Sequence, residues 1–249
     1  MNSLTTRRAA GALLVIVPLV FTVCFTLLQQ LFEYPDILRQ PTGEVLTKFA
    51  DGGDSLVAVW YVLTLAAVAF IPITVLVHRV LAERETSVLL WVATTFGVVA
   101  GVAQTLGFLR WPFLVPHLAK TYLDPAAGEA QRAAAGVVFE AFHRYAGMAV
   151  GEHLGYLSTS VWTLMIAVVM LRTAALPRWV GASGAVLAVG IAAGLVEPAG
   201  WELGGTINAI AYLAWALWLM VVGVTLLVRR SEAAAVSRAA ATGVREPAR

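Results

Sequence analysis

The densest chemistry in this sequence lies in one run, FEAFHRYAGMAVGEHLGYLSTSVW, which holds two histidines, two glutamates and an arginine within 24 residues of helix-forming pattern, from Phe139 to Trp162. Glu140 and His143 form an E-x-x-H pair, a spacing that lets both side chains bind one metal when other helices supply matching ligands. The motif is short and common, so it makes these two residues weak metal candidates only. Cys24 is the single cysteine, which excludes intramolecular disulfides and cysteine-based metal sites by counting.

Gly147, Gly151 and Gly155 recur every four residues and so share one helix face, where a neighbouring backbone can approach closely. Counting back from Gly147 in helical steps brings Arg144, His143 and Glu140 onto or beside that face, which predicts that this polar trio points into the protein. On a straight α-helix His143 and Glu152 stand roughly 180° apart at about 100° per residue, so they share no site without a kink. Glu152 and His153 fall near a predicted span boundary. Within hydrocarbon they must face the interior or a wet cavity, because an ionised group facing lipid is costly; at headgroup level a solvated pair suffices.

Partners at similar depth come from other segments. Gln104 precedes the Arg110-Trp111-Pro112 exit of one apolar run, and Asn208 begins a stripe with Ala211, Tyr212 and Trp215 on another. Each also reads as interhelical hydrogen-bond glue worth about 1 kcal/mol. Glu197, Glu202 and His117 read as solvated. The tryptophans near predicted span ends, Trp60, Trp91, Trp111, Trp179 and Trp201, read as an interfacial belt.

The elements that must position these groups are membrane spans. With 59% hydrophobic and 13% charged residues and a mean hydropathy of +0.80, the composition departs from that of soluble domains. Several apolar runs reach the roughly 20 residues that cross about 30 Å of hydrocarbon as a helix, and none shows the period of two that a barrel requires. The expected fold is all-α, a polytopic membrane bundle of about six transmembrane helices. The spans fall near Ala9 to Leu31, Leu56 to Val77, Ser87 to Leu109, Ala149 to Leu171, Trp179 to Val196 and Gly205 to Val228. Alternating the connections between sides places eleven of the 17 basic residues on the face shared by both termini, and the positive-inside rule makes that face cytoplasmic.

Two longer extracytoplasmic segments follow. In the first, Val45, Leu46 and Phe49 form one interfacial face that caps the bundle; in the second, a helix beginning near Pro125 continues into span four. Residues 1–230 form the transmembrane domain, and 231–249, rich in alanine and arginine, a flexible cytoplasmic tail. No basic patch points to nucleic acid.

Four stretches, FEYPDILRQPTGEVLTKF, LRWPFLVPHLAKTYLDP, FHRYAGMAVGEHLGYLSTSVWTL and LPRWVGASG, resemble a bacterial family of multi-pass membrane proteins classed as domain of unknown function 4386. The resemblance spans nearly the whole chain and implies the same topology; it implies no activity, cofactor or site residue.

The expectation is a bundle in the cell membrane with an outward-facing polar pocket for a small molecule or lipid headgroup, used in transport or sensing. Its lining is Arg110, Glu140, His143, Arg144, Glu152 and His153, with Gln104 and Asn208 deeper. A membrane enzyme using a His/Glu acid–base or metal site is the rival. A structural subunit, joined to a second copy or a partner membrane protein through the glycine face of span four, is the third reading. The sequence assigns no cofactor.

Overall fold

The computed structural model describes residues 3–241, and among them there is no strand. Six helical stretches are long and apolar enough to cross a bilayer, in agreement with the expected all-α bundle. They are α1 (Ser3–Phe32), α3 (Gly53–Leu81), α4 (Val88–Phe113) continued by α5 (Val115–Leu123), α6 (Glu129–Phe142) continued through to α7 (Gly155–Thr173), α8 (Arg178–Ala192) with a following 3-10 segment, and α9 (Glu202–Ala241). The tail assigned to 231–249 falls at the end of α9 and, from 242, outside the described residues.

The spans form a closed ring. Each packs on the next in chain order, and α9 returns to α1. At one end α2 (Thr42–Asp51) packs on α5 and α6 with Val45, Leu46 and Phe49 buried, so the amphipathic face read from the sequence covers the α1, α3 and α4 side of that end of the bundle. The helix expected near Pro125 begins at Glu129 and is continuous into span four, as the following alanine run favours.

Two separate apolar cores hold the ring. The first joins Leu14, Phe70, Trp162, Ile166, Val180, Trp215 and Leu219, and draws on all six spans. The second lies at the α2 end and joins Leu28, Phe32, Phe49, Leu56, Trp60, Trp111, Leu118 and Phe139; among the described residues none comes from α7, α8 or α9. Along α4 the first core ends at Ala100 and the second begins at Trp111; along α1 the corresponding limits are Leu14 and Cys24. A layer between the cores is therefore left to other chemistry, and Gln104, Gly107 and Arg110 fall in it.

Between α6 and α7, residues His143–Leu154 form a 12-residue π-helix. Such segments are rare, usually a single turn, and frequent at functional sites. Bonding i→i+5 winds about 4.4 residues into each turn, so residues nine apart return to the same face. His143 and Glu152 thus lie on one side, where straight α-helical counting had set them on opposite sides. The same winding, with α6 leading in, leaves Glu140 and Arg144 exposed and turns His153 outward, so the polar trio expected to point inward does not do so as a unit.

Candidate functional site

The intermediate layer is organised by a glycine crossing. A Cβ placed on Gly107 would stand 2.7 Å from the Gly151 Cα, and one on Gly151 would stand 3.0 Å from the Gly107 Cα. The backbones of α4 and the π segment touch there, as the glycine stripe required. One turn towards the α2 end, a Cβ on Gly147 would meet the Arg110 guanidinium at 2.6 Å; towards the other core, Gly155 faces Gln104 at 3.5 Å. The stripe is filled by α4 of the same chain. These glycines are therefore engaged within the chain.

Arg110 is 7% exposed inside an apolar span. Its Nη1 donates to the carbonyl of Gly107, and the guanidinium lies 5.0 Å from the centroid of Trp111, close enough for a cation–π contact. Its Nε is buried with no acceptor. Glu152, on the π segment, is half-buried and within the electrostatic field of Arg110, as are Tyr34 and His143. Among the described residues the ion pairs within 4.0 Å are Arg7–Glu83, Arg39–Asp36 and Lys48–Glu33, so Arg110 and Glu152 do not touch. A charge buried in hydrocarbon without a contacting counter-charge is the costly arrangement, and function is its default explanation.

Polar side chains continue from this pair in both directions. Tyr156 and Glu197 share the field of Glu152, with Glu197 exposed at the rim. Tyr156 packs on Tyr212 at 5.5 Å between ring centroids, and the Tyr212 hydroxyl lies beside Gln104 and Thr159. Gln104 Nε2 donates to Thr159 Oγ1 at 3.2 Å. Gln104 and Tyr212 also line a cavity of ≈ 40 Å³ shared with Pro18, Phe70 and Trp215, enough room for an ordered water. Tyr34 lies outside the spans, in the link between α1 and α2; burial raises its phenol above the ordinary tyrosine range, Glu152 adds to that and Arg110 opposes it.

Of the residues proposed from sequence, Gln104, Arg110 and Glu152 come together in this layer. His143 stands at its edge, half-buried, stacked on Phe139 at 5.8 Å and with Nδ1 unpaired. Asn208 is buried, but its Nδ2 donates to the Ile191 carbonyl at 2.6 Å, which makes it glue between α8 and α9. Glu140 accepts from Thr42 Oγ1 at 3.2 Å on the surface, and Arg144 and His153 are exposed. Glu140 and His143 gain no third ligand: no group of three His, Cys, Asp or Glu suited to a metal occurs among the described residues.

The residues missed from sequence are chiefly aromatic. Trp60 and Trp111 are fully buried, stacked 4.7 Å apart at 11°, and both indole nitrogens lack an acceptor. They belong to the second core and not to an interfacial belt, whereas Trp91, Trp179 and Trp201 are exposed. Tyr34, Tyr156 and Thr159 carried no spacing signal that set them apart.

A larger hollow of ≈ 630 Å³ lies at the surface, lined by Gly43, Glu44, Thr47, Lys48, Asp51 and Ser55. Its lysine is already paired with Glu33, and it is open to solvent, so none of its charges is left in need of a ligand. The buried layer is the better candidate, because there the unpaired groups cannot be satisfied by bulk water.

The model of a family described as Domain of unknown function (DUF4386) matches residues 9–223. No curated protein and no solved structure matches the chain.

Proposed function

The chain belongs to the DUF4386 family, a membership that assigns no activity, and on the geometry we propose that it is a multi-pass membrane protein that binds a small polar molecule or lipid headgroup in its intermediate layer. The observation that carries this reading is Arg110: a cation 7% exposed, with an unpaired Nε and no acid in contact, in a span long enough to cross the bilayer. Arg110 fixes an acceptor group on the ligand, Glu152 faces it across the layer, and Gln104, Tyr156 and Tyr212 supply orienting hydrogen bonds. The second core covers the α1, α3 and α4 side of the α2 end and the first core closes the opposite side, so we place access at the α8–α9 rim, where Glu197 is exposed. One-sided access of this kind suits sensing, or transport with the second gate in that core.

The positive-inside count supports placing the α2 end outside the cell membrane. Reporter fusions after Arg84 and after Asp124 test this: opposite sidedness of the two is expected, with Arg84 inside. The binding reading is tested by mass spectrometry of the intact protein released from detergent. Wild type retains a small-molecule or lipid adduct and Arg110→Gln does not; identical adducts in both would remove Arg110 from any binding site.

The enzyme reading has less support. His143 has Arg110 and Arg144 as electrostatic neighbours, and no metal-binding group is assembled around it among the described residues.

A further inference from the structure

The cavity of ≈ 40 Å³ lies where four spans meet, walled by Pro18 of α1, Ala67 and Phe70 of α3, Gln104 of α4, and Tyr212 and Trp215 of α9. Its position follows from the residues around it. Alanine leaves space that a larger side chain would fill, and Pro18 brings no N–H to the Leu14 carbonyl one turn earlier in α1. Phe70 and Trp215 belong to the first apolar core, so the cavity reaches from the level of Gln104 into that core. Whether such a space is wet or dry depends on room and on polar partners. A water takes roughly 10–15 Å³ of volume measured this way and two to four hydrogen bonds, whereas a purely apolar cavity stays dry. The partners are present here. The Tyr212 hydroxyl is buried and meets no hydrogen-bond partner within the chain. Gln104 gives its Nε2 to Thr159 Oγ1 at 3.2 Å, which leaves its carbonyl oxygen to accept. The Leu14 carbonyl beside Pro18 is a further acceptor on the same helix face.

We infer that this cavity is an internal water site, in which about two or three waters bond to one another, to the Tyr212 hydroxyl and to the Gln104 carbonyl oxygen. A dry Tyr212 hydroxyl would forfeit its bonds to water on folding and gain none in return. The inference goes beyond the binding reading and does not depend on it, since no group on the cavity wall is asked to hold a ligand. Its consequence is directional. The first core closes the layer on the side away from α2, and its boundary is hydrated at one corner, between α1, α3, α4 and α9.

The test is X-ray radiolytic footprinting of the full chain in nanodiscs, read by mass spectrometry, because radicals formed from a bound water oxidise the side chains that touch it. Trp215 and Trp218 are a matched pair on α9: both are buried and both indoles are hydrogen-bonded, but Trp215 lines the cavity and Trp218 does not. Trp215 is expected to oxidise several-fold faster than Trp218. Equal rates would mean a dry cavity and overturn the inference. This comparison needs no variant to fold. A second measurement fills the space with Ala216→Val, a wall residue. Filling a dry cavity raises the unfolding midpoint, whereas displacing waters that satisfy a buried hydroxyl lowers it, and the fast oxidation of Trp215 should vanish with them. In a Tyr212→Phe background the hydroxyl that needs the water is gone, so the same substitution should lower the midpoint less. A raised midpoint, or an equal drop in both backgrounds, would show that no water was displaced and would also overturn the inference.

Discussion

The two apolar cores are alike in burial and unlike in how they treat their tryptophans. In the core that draws on all six spans, Trp215 donates to Thr163 Oγ1 at 2.9 Å and Trp218 to the Val180 carbonyl at 2.8 Å. In the core at the α2 end, Trp60 and Trp111 are more deeply buried and neither indole finds an acceptor. Buried polar groups are normally satisfied, and each exception asks for a cause. One core satisfies the indoles of Trp215 and Trp218 internally and holds the ring. The other borders Arg110 and keeps donors unpaired, which suits a region completed by something that binds.

The sharpest way to break this contrast is at the helix crossing. Gly107→Ala puts a methyl 2.7 Å from the backbone of Gly151, where neither chain can yield without separating the helices. Overpacking typically costs about 1–3 kcal/mol, and backbone on the far side places this variant at the upper end. Gly181→Ala, against the movable Leu171 side chain at 2.8 Å, costs less because helix propensity returns up to about 1 kcal/mol. Unfolding in the same detergent should rank Gly107→Ala well below Gly181→Ala. Equal midpoints would mean that the crossing is not fixed.

Arg110→Met tests the sign. Replacing a buried, poorly paired charge with an apolar side chain of similar length should stabilise the fold by about 1–3 kcal/mol while abolishing ligand binding. A less stable Arg110→Met protein would show that Arg110 is structural, and the layer would lose its strongest claim to function.

The tryptophans themselves give a smaller effect. Trp218→Phe and Trp111→Phe both shrink a buried ring, but only the first removes a made hydrogen bond. Trp218→Phe should therefore be the more destabilising by about 1 kcal/mol, the typical worth of such a bond. If Trp111→Phe costs as much or more, its indole has an acceptor and the contrast between the cores dissolves.

Much of this architecture is legible in the sequence. Six long apolar runs dictate six spans, the Val45, Leu46 and Phe49 face dictates a capping helix, and the glycine repeat dictates a close helix contact. The site is less legible for two physical reasons. An apolar, helix-forming run implies 3.6 residues per turn, whereas His143–Leu154 winds as a π-helix, which regroups His143 with Glu152 and sends Glu140 and Arg144 to the surface. Position within a run implies depth only where nothing covers the span end, yet α2, α5 and α6 fold over the ends of α3 and α4. Trp60 and Trp111, near span ends in the sequence, thereby become core.

The smallest expected effect isolates that winding. Glu140→Ala removes only an exposed carboxylate that accepts from Thr42 Oγ1, so the unfolding midpoint should not move measurably and ligand affinity should equal that of wild type. Glu152→Gln, by contrast, should weaken binding without loss of fold. The two glutamates stand twelve residues apart on one helical stretch, and only the π segment between them decides which faces Arg110. Should Glu140→Ala weaken binding as much as Glu152→Gln, the segment would have to wind as an ordinary α-helix in the bilayer. The polar trio would then point inward after all, and the grouping of Arg110 with Glu152 would give way to one around Glu140 and His143.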